Sequence, residues 1–247
     1  MPLTPDDILA FKIGGSTVGE NLRRAIDAGA VRQHDDGSLA LPAPSGPPDS
    51  FVPIRNGPPL PCKFLNGFLF KRVYGEAAVP KGCEPCYKVK VMPRTLRELV
   101  AVYEIAKEIA CLSKWGIDFY NPHSQSVYAG YFYVKGLGAA RALFPAVRQA
   151  VNENPKLGAD VPIVIKRGCS NYEAALGPSD TYTFQPELSE VEAYLKSRYR
   201  PVRSEDNTLA QTLYGKWVPF AYQIGDNTYL DFTNGQPLYP QSLTYAP

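Results

Sequence analysis

The chain has 247 residues, 45% hydrophobic and 20% charged, with five cysteines and a net charge of +2. That length can bury a sizeable core, and the composition excludes disordered, collagen-like and fibrous classes. No run approaches the roughly 18 apolar residues that cross a bilayer, and five scattered cysteines do not read as a disulfide framework.

In chain order, "TPDDILAFKI" predicts a short helix with Thr4 as N-cap, Pro5 at its first position and acids in the first turn. "STVGENLRRAIDAGAV" predicts a second, capped by Ser16 or Thr17, with Leu22 and Ile26 one turn apart and Gly29 as its stop. "DDGSLALP" reads as a turn and short strand. Residues 42–61 hold eight prolines in twenty positions, which forbids helix or central strand and predicts a linker or extended arm. "FLFKRVYG" (68–75) and "YKVKVM" (87–92) read as strands, the second alternating apolar and basic. "RTLRELVAVYEIAKEIACLSKW" carries one apolar stripe and predicts a helix. "SVYAGYFYVKG" (126–136) reads as a strand, "LGAARALFPAVRQAVNENP" as a helix kinked or divided by Pro145, and "VPIVIKRG" (161–168) as a buried strand. Ser189-x-x-Glu192 predicts a capping box opening a helix over 189–199, and Gly225-Asp226-Asn227 predicts a hairpin over 220–232.

These elements give an α+β (mixed α/β) fold, a central sheet covered by two or more helices, with long Pro/Tyr-rich N- and C-terminal arms. The expected organisation is an N-terminal helical segment (1–41), a Pro-rich linker or arm (42–61), a core domain (62–180), and a C-terminal helix, hairpin and extended arm (181–247). With 24 prolines and 16 tyrosines, the arms pack either on this chain's own core or on a neighbouring subunit.

The charge is partitioned. Residues 1–60 carry 5 basic and 7 acidic side chains, and 173–247 carry 5 and 9, while 61–97 holds eight basic residues against Glu76 and Glu84. A local excess of that kind suits a polyanion, or else a solvated surface neutralised by the acidic flanks. The candidate nucleic-acid-binding residues are Lys71, Arg72, Lys81, Lys88, Lys90, Arg94 and Arg97. Tyr131 and Tyr133 join them on one strand face, where rings stack bases. Around them, "AGYFYVKG" partly resembles the aromatic strand of RNA-recognition motifs, in Gly130, Tyr131, Tyr133 and Val134. Ala129, Phe132 and Gly136 depart from that pattern, and the β-α-β-α-β order expected here differs from that domain's βαββαβ.

Cys83-Glu-Pro-Cys86 reads in three ways: a turn with reduced thiols, half of a zinc site, or a redox pair. Zinc needs further ligands, and Cys62 is the best third candidate across an expected hairpin. "FKIGGSTVGE" (11–20) resembles the phosphate loop of amino-acid kinases over eight residues, with Lys12 as the cation; that family's other nucleotide motifs are not found. "KRGCSNYEAALGPSD" (166–180) is polar and follows a buried strand, where α/β folds place sites, but only His34 and His123 offer an imidazole base and no hydrolase or Walker motif occurs.

The function expected is a non-enzymatic structural, coat-like or nucleoprotein-like assembly protein, a homo-oligomer that self-associates through its arms and binds a polyanion, nucleic acid above all, through the basic region 61–97, with no cofactor expected other than the zinc that Cys83 and Cys86 leave open. The alternatives are a soluble intracellular enzyme with its pocket near 166–180 and a zinc-stabilised adaptor domain. An acidic N-terminus without an apolar run is unlike a secretory leader, so the expected location is cytoplasmic, with no membrane partner.

Overall fold

The structure, a computed structural model, describes residues 3–43, 50–119, 124–158, 160–201 and 208–239. Helix α1 (Pro5–Ala10) opens on a capping box between Thr4 and Asp7, and α2 (Val18–Asp27) on another between Thr17 and Glu20, which satisfies the free amides of both first turns. Between them Lys12–Ile13 (β1) and Ser16–Thr17 (β2) pair as a hairpin turning at Gly14-Gly15. The kinase-like loop is thus a hairpin, and the helix behind it is already capped by its own Glu20. A second small hairpin joins Arg32–Gln33 (β3) to Leu39–Ala40 (β4).

The main sheet has five strands: β5 (Phe51–Arg55), β6 (Cys86–Val91), β7 (Leu112–Ile117), β8 (Tyr128–Lys135) and β9 (Ile163–Arg167). They lie in the order β5-β7-β8-β6-β9, with every neighbouring pair antiparallel. Helix α3 (Leu96–Glu108) follows β6 and α4 (Leu137–Glu153) follows β8. From β6 to β9 the order is therefore βαββαβ, the split-βαβ arrangement, and not the expected β-α-β-α-β. The strand missed is β7. The expected helix ran on through "CLSKW", but α3 stops at Glu108, and Ser113, Trp115 and Ile117 alternate with Lys114 and Gly116 as a strand requires. Of the Pro-rich segment, residues 51–55 form the edge strand β5, where Pro53 is tolerated.

Alternation sorts the sheet's side chains. Val89, Val91, Trp115, Tyr128, Phe132 and Ile163 join a core with α3 and α4. That core is closed by the C-terminal segment α7 (Leu209–Thr212), a π-helical turn (Leu213–Trp217), α8 (Val218–Gln223) and a 3-10 turn (Asn227–Phe232). The hairpin expected over 220–232 is thus helical: Pro219 sits in the first turn of α8, Phe220 and Ala221 are buried, and Gly225 ends it at φ 77°.

A second core surrounds a π-helix at Lys63–Val73, in place of the strand expected at 68–75. Phe68, Leu69 and Phe70 are all fully buried, so the segment is apolar all round, a pattern that strand and buried helix share. Tyr74 N–H donating to the Leu69 carbonyl at 2.7 Å marks the wide turn. Phe70 meets the Tyr172 ring of α5 (Ser170–Leu176) at 4.5 Å between centroids. Helix α6 (Leu188–Arg198) begins one residue before the expected capping box. Its Glu192 caps nothing local; it reaches across the fold to the amides of Lys81 (2.5 Å) and Gly82 (2.9 Å). Beyond residue 239 the expected C-terminal arm lies outside the described residues.

Gly130 fits the core for a steric reason. It lies opposite Trp115 in the β7–β8 ladder, and a Cβ there would stand 1.8 Å from the indole. Gly130→Ala therefore displaces the largest fully buried ring of the sheet; overpacking of this kind costs roughly 1–3 kcal/mol or more. The expected outcome is a lowered denaturation midpoint with loss of near-ultraviolet tryptophan dichroism, read by chemical denaturation against wild type.

Candidate functional site

The sheet face opposite α3 and α4 is built by the same alternation. In the β6–β8 register Lys88 stands opposite Tyr133 and Lys90 opposite Tyr131, while Lys114 on β7 faces Tyr131 and Lys166 on β9 faces Lys88. Two tyrosines thus sit on a central strand among four lysines. The Lys88 ammonium lies 5.5 Å from the Tyr131 ring and 5.4 Å from the Tyr133 ring, and Lys114 lies 4.2 Å from Phe51 of β5. Such cation–π contacts offset part of the desolvation of the amines.

Exposure divides the face into a floor and a rim. Lys88, Lys90 and Tyr131 are buried at 6–7% exposure, whereas Lys114, Tyr133 and Lys166 remain partly exposed. Asp118, just past β7, organises the floor: its carboxylate accepts from Lys90 at 3.3 Å, from the Tyr131 hydroxyl at 2.7 Å and, at shorter range, from Ser124. Burial, then the Asp118 charge, pushes the Tyr131 hydroxyl far up, so it is a neutral donor. Burial also raises Tyr133. Lys166 touches the Glu173 carboxylate of α5, yet burial first, and then the charges of Lys88 and Lys90, lower its ammonium to about 8. Burial alone would push Lys88 down, but the sulfurs of Cys169, Cys86 and Cys62 outweigh it and push it up.

The basic run of 61–97 does not form one patch. Lys88 and Lys90 join the sheet face; Lys71 and Arg72 are exposed on the 63–73 π-helix. Lys81 pairs with Glu84 at 2.5 Å. Arg94 is held by Glu98 (3.2 Å) and Asp160 (2.7 Å), and Arg97 by Asp231. So part of the acidic C-terminal flank is spent on α3 within the chain. Lys114 and Lys166 were missed because they lie outside the basic run; only the strand register brings them in.

Cys62 does not lie across a hairpin but directly before the π-helix. It nevertheless lines one cavity of about 460 Å³ with Cys83, Cys86 and Cys169. Cys83 lies 3.3 Å from the Tyr172 hydroxyl, and Cys169 accepts from the Lys88 ammonium at 3.5 Å. Burial raises the Cys62 and Cys83 thiols and pushes Cys86 up to about 11. Among the described residues, no three His, Cys, Asp or Glu side chains stand at the mutual separation of metal ligands. Of the two histidines, His34 is exposed and His123 lies outside the described residues.

No family model matches the chain, nor does any curated protein or solved structure. The βαββαβ order is therefore a statement about topology, and topology alone assigns no function. None of the helices of the described residues is long and apolar enough to cross a membrane.

Breaking a buried ion pair by removing one partner costs roughly 3–5 kcal/mol, and the Lys90 and Asp118 side chains are only 9% and 6% exposed. Asp118→Ala is expected to destabilise by about that amount in urea unfolding, and Lys90→Met in the Asp118→Ala background is expected to recover most of it. A loss under about 1 kcal/mol would show that the pair is not what holds the floor.

Proposed function

We propose that the protein is a non-enzymatic nucleic-acid-binding protein that takes a single strand along the Lys/Tyr face, in the setting of a larger assembly. The observation that carries this reading is the placement of Tyr131 and Tyr133 among Lys88, Lys90, Lys114 and Lys166 on one sheet face. Single-stranded nucleic acid asks for a basic track for phosphates and aromatic faces for bases. The rim residues Lys114, Tyr133 and Lys166 touch the strand. The floor lysines act from beneath, where poor screening lets their field reach it. Self-association is the second part of the proposal. It draws support from the exposed side chains Tyr214, Tyr222, Ile224 and Tyr239 of the C-terminal segment.

The test is fluorescence anisotropy with a labelled single-stranded oligonucleotide across a salt series. Lys114→Glu with Lys166→Glu is expected to weaken binding at least tenfold. The slope of log K against log salt should flatten by about one for each phosphate that is no longer neutralised. Arg94→Glu with Arg97→Glu is expected to leave both unchanged, since those guanidiniums lie at and on α3, on the other side of the sheet from the Lys/Tyr face. The reverse pattern would move the interface to α3; no binding by the wild type would end the reading.

A second reading is favoured by Lys166 itself. Its amine stands against the Glu173 carboxylate and is lowered to about 8 by burial and neighbouring cations, a lysine–acid pair of the kind that serves nucleophilic and proton-transfer chemistry. The two readings part on pH. Lowering a lysine's pKa makes it neutral above that value, so strand binding should weaken between pH 7 and 9 as the face loses one charge. Lys166→Arg, charged throughout, should keep binding and remove that pH dependence. An enzyme using the amine would instead lose all activity in Lys166→Arg and gain rate as pH rises through 8.

A further inference from the structure

One end of the sheet opens onto the second core. Cys86 of β6 stands opposite Lys135 of β8, and the Gly168 N–H donates to the Cys86 carbonyl at 3.0 Å. These strand ends, the 63–73 π-helix and one face of α6 enclose the cavity of about 460 Å³. Ser189, Glu192, Ala193 and Lys196 make that helix face, at spacings of three and four residues. Residues 58–61 of the Pro-rich segment supply another wall. None of the six residues of the Lys/Tyr face lines this cavity.

We propose that the cavity binds a small amphipathic carboxylate, with its apolar body inside, a hydrogen-bond donor on Asn66 and its acid group at a rim of lysines. The volume lies in the range of small-molecule sites. The wall is largely apolar: Pro58, Pro59, Pro61 and Pro85 have no amide N–H to offer, and Leu60, Phe64 and Leu65 add hydrocarbon. The thiols belong to the apolar wall as well. Burial raises those of Cys62 and Cys83 and pushes Cys86 up to about 11, so they stay neutral and act as small hydrophobes.

Two polar features give the occupant its chemistry. Asn66 lines the cavity, and its Oδ1 is buried without a hydrogen-bond partner. Buried acceptors are nearly always satisfied, so a ligand N–H or O–H fits there. The second feature is charge. Lys135 and Lys196 line the cavity, are exposed, and pair with no acid among the described residues. Lys81 is shared with Glu84. Glu192 is the one acid on the wall, and it faces away from an occupant. One of its oxygens accepts from the Lys81 amide at 2.5 Å and the Tyr74 hydroxyl at 3.3 Å, the other from the Gly82 amide at 2.9 Å. An apolar pocket with two uncompensated ammoniums at its edge selects an acid over a neutral molecule of the same shape.

The test titrates N-decanoylglycine, which has an apolar chain, an amide N–H and a carboxylate, into the full chain by calorimetry. The expected result is one ligand per chain and a raised thermal midpoint. Its methyl ester keeps the chain and the N–H but loses the charge, and should bind roughly tenfold more weakly. Lys135→Glu with Lys196→Glu, at two exposed positions, should weaken the acid by a similar factor and leave the ester unchanged. Decanoate, which lacks the N–H, should bind less tightly than N-decanoylglycine to the wild type and equally well to Asn66→Leu. The cysteines give a readout that needs no variant: the ligand should slow alkylation of Cys62, Cys86 and Cys169 by N-ethylmaleimide and leave the rate at Cys111, in the other core, as it was. No uptake, uptake of many ligands per chain, an ester that binds as well as the acid, or unchanged alkylation would overturn the site.

Discussion

The antiparallel register of β6 on β8 is the constraint on which the rest of the molecule depends. With Val89 opposite Phe132, the apolar residues of both strands face α3 and α4; Lys88 opposite Tyr133 and Lys90 opposite Tyr131 then follow with no freedom left. A slip of one residue would drive two ammoniums into the helix-side core and expose Val89 and Phe132. The register is pinned sterically as well, because Gly130 is the one residue of β8 that leaves room for the Trp115 indole opposite it. Packing on one face thereby dictates charge on the other.

Two carboxylates extend this order over long stretches of chain. Asp226, just after α8, accepts from the Leu96 amide at 2.6 Å and from the Tyr128 hydroxyl at 3.0 Å, so the C-terminal segment caps α3 and is fixed to β8. Glu192 does the same for the second core, gripping the turn that leads into β6. Burial raises the Glu192 carboxyl while the amide donors oppose it, as expected of a buried acid held by hydrogen bonds. In both places an acid of the C-terminal third satisfies amides some 110 to 130 residues away. An acidic flank that looks in composition like a partner for another subunit is in part internal wiring.

The sequence makes the local elements legible and the long-range ones not. Caps at Thr4 and Thr17, the stripe of α3 and the alternation of β6 and β8 are written in neighbouring residues, and the α+β class follows from them. The β7 strand was hidden because no glycine or proline separates it from α3, although its Ser113-Trp115-Ile117 alternation was there to be read. The π-helix was hidden because Phe68-Leu69-Phe70 is apolar on every side, which erases periodicity. Of the candidate site, Lys88, Lys90, Tyr131 and Tyr133 were legible as strand faces. Lys114 and Lys166 were not, since their membership depends on which strands pair. The same holds for Cys169, more than 80 residues from Cys86 yet on one cavity with it.

Lys88 stands where these features meet, and its burial needs an explanation beyond stability. An apolar side chain of similar length would fill position 88 without the cost of desolvating an ammonium, and such replacements are often neutral or stabilising. The lysine's ammonium has other company: two tyrosine rings at 5.4 and 5.5 Å and the Cys169 sulfur at 3.5 Å. A cation so placed belongs at once to the basic sheet face and to the wall around Cys169. The rings and the sulfur together offset part of the desolvation of an ammonium that is otherwise buried.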